Sequence, residues 1–137
     1  MSDMFGAINS AGSGLTVYRQ WLDAISDNIA NINTARPTSE AAFQQRWVEA
    51  APTGQPGEAG SGVAVSGISL GDPQGRLVYD PQNPLADKNG YVRMPDIDLG
   101  EQMVQMIMAQ RAYQANLAVI DRARDAYQQA LQIGRQS

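Results

Sequence analysis

The chain has 137 residues, of which 43% are apolar, 7% aromatic and 18% charged, with a net charge of −4. That length suits one modest domain, and the shortage of charge against roughly 25% in ordinary soluble domains leaves a surface of Ala, Gln, Asn and Ser suited to packing on other protein. The ten basic residues are scattered, which argues against a nucleic-acid groove; without Cys or His there are no disulfides, thiolate nucleophiles, usual zinc sites or Ser–His–Asp triad.

Met1-Ser2-Asp3-Met4 carries neither a basic nor an apolar leader region, so no cleavable secretory signal is expected. No apolar run approaches the roughly 18 residues of a membrane-spanning helix. From Met4 onward the apolar residues fall at Ile8, Ala11, Leu15, Tyr18, Leu22, Ile25, Ile29 and Ile32, in alternating steps of 4 and 3. A 3.5-residue repeat keeps a seam on one face of a helix that wraps a partner. Thr16, Arg19, Gln20, Asp23 and Asp27 lie between, so the stripe is narrow and one-sided. Gly6, Gly12 and Gly14 each cost about 1 kcal/mol inside a helix, and Ser13 is placed to cap a shorter helix beginning at Gly14. This arm is therefore expected to be marginal alone and continuous only when its seam is covered.

Pro37 stops the first helix, and every proline lies between there and Pro95. Phe43 to Ala50 reads as a strand with Phe43 and Trp47 as its large groups. The segment 52–62, rich in Pro and Gly, reads as a flexible loop. Val63 to Leu70 suggests a short strand broken at Gly67, and Arg76–Tyr79 and Tyr91–Met94 are further strands, with Asn89-Gly90 a tight-turn signal. A few short strands fit here, but no large core.

After Pro95 a second seam runs through Leu99, Met103, Met106, Gln110, Tyr113, Leu117, Ile120, Arg124, Tyr127 and Leu131. Asp96 or Asp98 is placed to cap its start, Glu101 favours the helix dipole, and Gly134 is expected to end it. About 35 helical residues would extend about 50 Å, so this arm must project or lie along a partner.

The fold class expected is mainly α with a small β insert. An N-terminal heptad helix (1–36) and a C-terminal heptad helix (96–137) pair as one antiparallel coiled-coil domain, with the β/loop insert (37–95) between them. Two readings stay open on pattern alone: a self-contained helical hairpin, or a unit whose spare alanine-rich faces pack on other copies in an open-ended assembly.

The residues also carry a resemblance. Ser26-Asp27-Asn28-Ile29-Ala30-Asn31-Ile32-Asn33-Thr34 resembles the N-terminal signature of flagellar rod, hook and hook-associated proteins. Tyr79 to Asp87, with Pro84, Leu85 and Asp87, followed by Gly90-Tyr91-Val92-Arg93-Met94-Pro95, is similar to the narrower signature of the bacterial flagellar basal-body proximal-rod family. Glu101 to Val104 and Arg111-Ala112-Tyr113-Gln114-Ala115-Asn116 match its C-terminal signature. Ala35-Arg36-Pro37-Thr38 departs from the family's usual Pro-Gly-Tyr corner.

The resemblance implies a structural subunit that polymerises into the drive shaft between motor and hook. Its partners would be copies of itself, other proximal and distal rod proteins and the adaptor at the MS ring and export gate. It implies export through the flagellar type III apparatus without signal cleavage, and residence in the rod as it crosses the periplasm. The alternatives are another axial protein of distal-rod or hook type, or a generic helical-hairpin interaction module. Independently of the family, Asn28 and Asn31 share a helix face, where amides either fix register against a partner helix or simply meet solvent. Tyr113, Gln114 and Asn116 face the same alternatives, and Pro81, Pro84 and Pro95 restrict the exit into the second helix.

The rival functions lack residues. Asp96, Asp98 and Glu101 form the only dense acidic group, and helix capping accounts for them more simply than a magnesium or acid–base site. No catalytic, cofactor or metal site is expected. A membrane-surface helix would need a basic polar face, whereas the first arm sets Arg19 against Asp3, Asp23 and Asp27. Neither nucleic acid nor direct membrane insertion is expected.

Overall fold

The computed structural model describes residues 2–55 and 61–136. Helix α1 runs over Ser2–Ala30 and helix α2 over Leu99–Gln136. Strands β1 (Arg46–Pro52) and β2 (Val63–Leu70) form one antiparallel hairpin, and β3 (Arg76–Tyr79) and β4 (Tyr91–Met94) form a second. The architecture is mainly helical with a small β insert, as the heptad and turn patterns predict.

Three pairings fix how the helices lie. Asn28 meets Gln102, Gly14 approaches Asn116, and Phe5 stacks edge-on against Tyr127 at 5.8 Å. As the number rises on one helix it falls on the other, so the pair is antiparallel over roughly 35 Å at 1.5 Å per residue. Helix α1 is continuous, and its glycines do not break it. The expected cap at Ser13 is corrected: its hydroxyl donates to the Ser10 carbonyl at 2.7 Å and accepts from the Val63 amide at 3.0 Å. Gly14 earns its place, because a Cβ there would sit 3.1 Å from Asn116 Oδ1. The helix closes in tight turns before Pro37, with Ile32 N–H donating to the Ile29 carbonyl and Thr34 N–H to that of Asn31.

At the start of α2, Asp98 rather than Asp96 is the cap: its Oδ1 accepts the Glu101 amide at 2.7 Å. Gly134 does not end the helix, which continues to Gln136. No described helix is long and apolar enough to cross a membrane.

The first hairpin lies along α1. Its open end is tied to Asn28 through Arg46, and the Val63 end reaches Ser13. Six strand steps of about 3.3 Å match fifteen helical steps of about 1.5 Å, so each end finds its partner. Strand β1 begins later than Phe43, and β2 is one strand rather than two. The irregularity expected at Gly67 is a bulge: Glu49 pairs with Gly67 and Ala50 with Val65, leaving Ser66 as the extra residue. Of the loop expected over 52–62, residues 56–60 lie outside the described residues. The flanks are held, since the Thr53 amide donates to the Gly62 carbonyl. Gly62 has φ of +75°, and a Cβ there would come within 2.6 Å of Ser13 Oγ.

The second hairpin is joined by an eleven-residue connection rather than a two-residue turn. The Asn89-Gly90 signal marks a turn inside that connection, where Gly90 N–H donates to the Asp87 carbonyl at 3.0 Å. Arg36 and Arg93 exchange backbone hydrogen bonds at 2.8 Å and dock the corner after α1 on β4. The buried core is small: Ala24 and Ile25 of α1, Val92 and Ile97, and Ala109 of α2 are among its members.

Candidate assembly surfaces

A buried polar arrangement sits where α1, α2 and β1 meet. Asn28 Nδ2 donates to Gln102 Oε1 at 2.9 Å and to the Arg46 carbonyl at 3.0 Å, and Asn28 Oδ1 accepts the Arg46 amide at 2.9 Å. Asn28 is 1% exposed and Gln102 fully buried. An amide in this position can satisfy both backbone groups of Arg46 only if the two helices and the strand are in one register. Asn31 acts locally instead, donating to the Asp27 carbonyl and accepting from Thr34. Asn33 is exposed.

The seam residues of α1 divide by depth. Ile25 is 1% exposed, whereas Ile8, Leu15, Tyr18, Leu22, Ile29 and Ile32 are half-buried. On α2, Met106, Tyr113, Ile120 and Tyr127 are half-buried, while Met103, Leu117 and Leu131 stand in solvent at 54%, 43% and 47%. The covered face is completed by Gln102, Ala109, Asn116 and Ala123, again at steps of 4 and 3 from the residues named. Gln102 and Asn116 lie within the motif segments, whereas Ala109 and Ala123 do not. All four are polar or small, and an apolar count passes over them.

The loop motif is a staple. Asp87 Oδ1 accepts the amides of Asn89 and Tyr91 at 2.9 and 3.0 Å, and Oδ2 accepts the Thr38 hydroxyl at 3.1 Å. The Tyr91 amide above all, opposed by desolvation and helped by the Asn89 amide, Thr38 and the Gly90 amide, holds this carboxyl below its ordinary pKa. Gly90 with φ of +82° lets the chain turn into β4, and Tyr91 packs edge-on against Tyr79 at 5.3 Å. Pro84 and Leu85 are exposed, Pro95 is buried, and its carbonyl accepts from Arg76 Nε. Gln114 is exposed, and Asn116 Nδ2 donates to the Ala112 carbonyl. Among the described residues no three His, Cys, Asp or Glu side chains are grouped so as to hold a metal ion.

Both ends of this helical pair match known families. Residues 8–38 match the family described as flagella basal body rod protein, and residues 88–133 match the flagellar basal body rod FlgEFG protein C-terminal family. Over nearly the whole chain, similarity extends to the flagellar basal-body rod protein FlgC of Borreliella burgdorferi, 36% identical over 95% of this chain and 97% of the relative. The chain belongs to the FlgC family of flagellar basal-body rod proteins. The FlgC proteins of Salmonella typhimurium (34% identical; 91% of this chain, 93% of the relative) and Bacillus subtilis (31%; 96% and 98%) are further relatives. As a FlgC-type chain it is a structural subunit of the basal-body rod. The two matched segments take in most of α1 with its corner, and β4 with most of α2, whereas the whole first hairpin and β3 lie between them.

Proposed function

We propose that the two terminal helices form one coiled-coil domain, carrying the insert 37–95, that polymerises side by side with copies of itself and with other proximal and distal rod proteins. In this reading the chain passes through the type III export apparatus without signal cleavage. It takes its place in the proximal rod as that rod crosses the periplasm, near the adaptor at the MS ring and export gate. Torque then passes through many lateral helix contacts, each modest, so stiffness comes from burial spread over neighbours. The role is structural rather than catalytic, and of the acidic group Asp96, Asp98 and Glu101 it is Asp98 that caps α2.

The observation that carries this reading is the bare outer half of α2. From Ala112 to Arg135 no residue of the helix is buried, although Leu117, Val119, Leu131 and Ile133 lie along it. Helix α1 covers one side of this stretch through Tyr113, Ile120 and Tyr127, and the apolar side chains left on its other sides form an exposed surface of the kind that marks a protein contact. Substituting Leu131 and Ile133 together with Asp tests the idea. The variant should fold as the parent does by circular dichroism yet fail to enter basal bodies, leaving cells non-motile. Normal swimming with the variant present in purified rods would contradict the reading.

A further inference from the structure

Beside the first hairpin, α1 leaves an open groove of about 260 Å³, and none of its lining comes from α2. Ala24, Val48 and Ile68 give it an apolar floor, and Asp23 stands at its rim. Ile68 is 56% exposed, so the floor is open. The volume falls below the range of about 300–1,000 Å³ in which small ligands are held, and it suits a row of aliphatic side chains.

A row of that kind stands elsewhere on the chain. Val104, Met108 and Val119 of α2 are 58%, 56% and 45% exposed. With Ala115 they fall at steps of 4, 7 and 4, which places them along one face. That face is not the one occupied by Gln102, Ala109 and Asn116, so α1 does not cover it. Charge agrees with shape. Arg111 lies within the stripe's length and Asp23 at the groove's rim, and neither has an ion-pair partner among the described residues, whereas Asp27 is taken by Arg46 at 2.8 Å. Gln20 and the Asp27–Arg46 pair complete the groove's lining, so its apolar floor carries one unpaired anion, and a stripe with an apolar face and an unpaired cation complements it.

We infer that the outer stripe of α2 docks along the α1–hairpin groove of a second copy of this chain, with Met108 on the paired Val48 and Ile68, Arg111 against Asp23, and Val104 and Val119 lying to either side of that contact. This rests on the rod reading, in which copies of the chain already pack together, and adds to it the two faces that meet. Because stripe and groove are different surfaces, each copy offers one of each. The contact is heterologous, and it propagates in one direction instead of closing as a two-fold dimer.

The absence of cysteine makes the test clean. A chain carrying both Ile68→Cys and Met108→Cys is placed in intact basal bodies and oxidised. A series of dimer, trimer and higher multiples of this chain is expected from the double variant, with no such series from either single variant. Cross-linking only to a different rod protein, or no cross-linking with the chain present in the rod, overturns the docking while leaving the rod reading in place. Absence of the parent chain from purified basal bodies would overturn both. As an independent arm, Asp23→Arg and Arg111→Asp singly should each lower rod incorporation by about tenfold, and together restore it to within about twofold. Failure of the pair to restore incorporation, with both singles folded, contradicts the contact.

Discussion

The two ends of the helical pair are built differently. At the end where α1 stops and α2 begins, Ile25, Asn28, Gln102 and Ala109 are each no more than 1% exposed, and the first hairpin packs on α1 beside them. At the other end Phe5 is 54% exposed, Leu131 47% and Ile133 72%, and Gly6 has nothing of the same chain within reach of a Cβ. One end is a finished core with a polar lock. The other is half of an interface. The difference teaches that a subunit can carry its own folding nucleus at one end and leave the rest of its length to be completed by neighbours.

Substitutions should separate the two ends by size of effect. Ile25→Ala empties a fully packed position and should destabilise the free chain by about 3 kcal/mol, measured by urea unfolding. Asn28→Ala leaves the Arg46 amide and carbonyl without their side-chain partner, and should cost about 2 kcal/mol. An effect below about 0.5 kcal/mol would show that the lock does not hold the register. At the open end the sign reverses. Gly12 has nothing of this chain within 4 Å of a built Cβ, so Gly12→Ala should stabilise the free helix by about 0.5–1 kcal/mol, seen as a higher melting temperature. Leu131→Ala should change the free chain by less than about 0.5 kcal/mol while lowering rod incorporation.

A pH effect belongs to the finished end. The ionised Asp87 staple contributes stability above the ordinary carboxylate value of 3.8. That contribution is lost as pH falls below this value and through the lowered native pKa. The tyrosine near-ultraviolet signal of the Tyr79–Tyr91 pair should therefore weaken as pH falls below 3.8, and Asp87→Asn should already show the weakened signal at neutral pH.

Much of the architecture was legible because heptad spacing and proline placement are local properties. Both helices, the β insert and the antiparallel pairing follow from them. The face of α2 that meets α1 was half legible: Met106, Tyr113, Ile120 and Tyr127 belong to it, and Ala109 and Ala123 stand among the alanines that let helices approach closely, but spacing does not mark Gln102 as a helix contact. Apolar residues stand on more than one side of α2, so spacing alone leaves two neighbouring stripes equally marked. Asn28 was visible as a motif residue, yet its partners Gln102 and Arg46 are 74 and 18 positions away, and only tertiary structure brings them together. Continuity of α1 through Gly12 and Gly14 was expected only with its seam covered, and the cover, Asn116 beside Gly14 and the Val63 amide on Ser13, is distant in the chain.

Amide hydrogen exchange on the free chain and on the same chain in purified basal bodies tests the contrast between the ends most directly. Slow exchange over 22–30 and 99–112 in both states is expected, with 117–135 exchanging rapidly when free and slowly in the rod. Equal protection of 117–135 in the free chain, or rapid exchange there in both states, would contradict it.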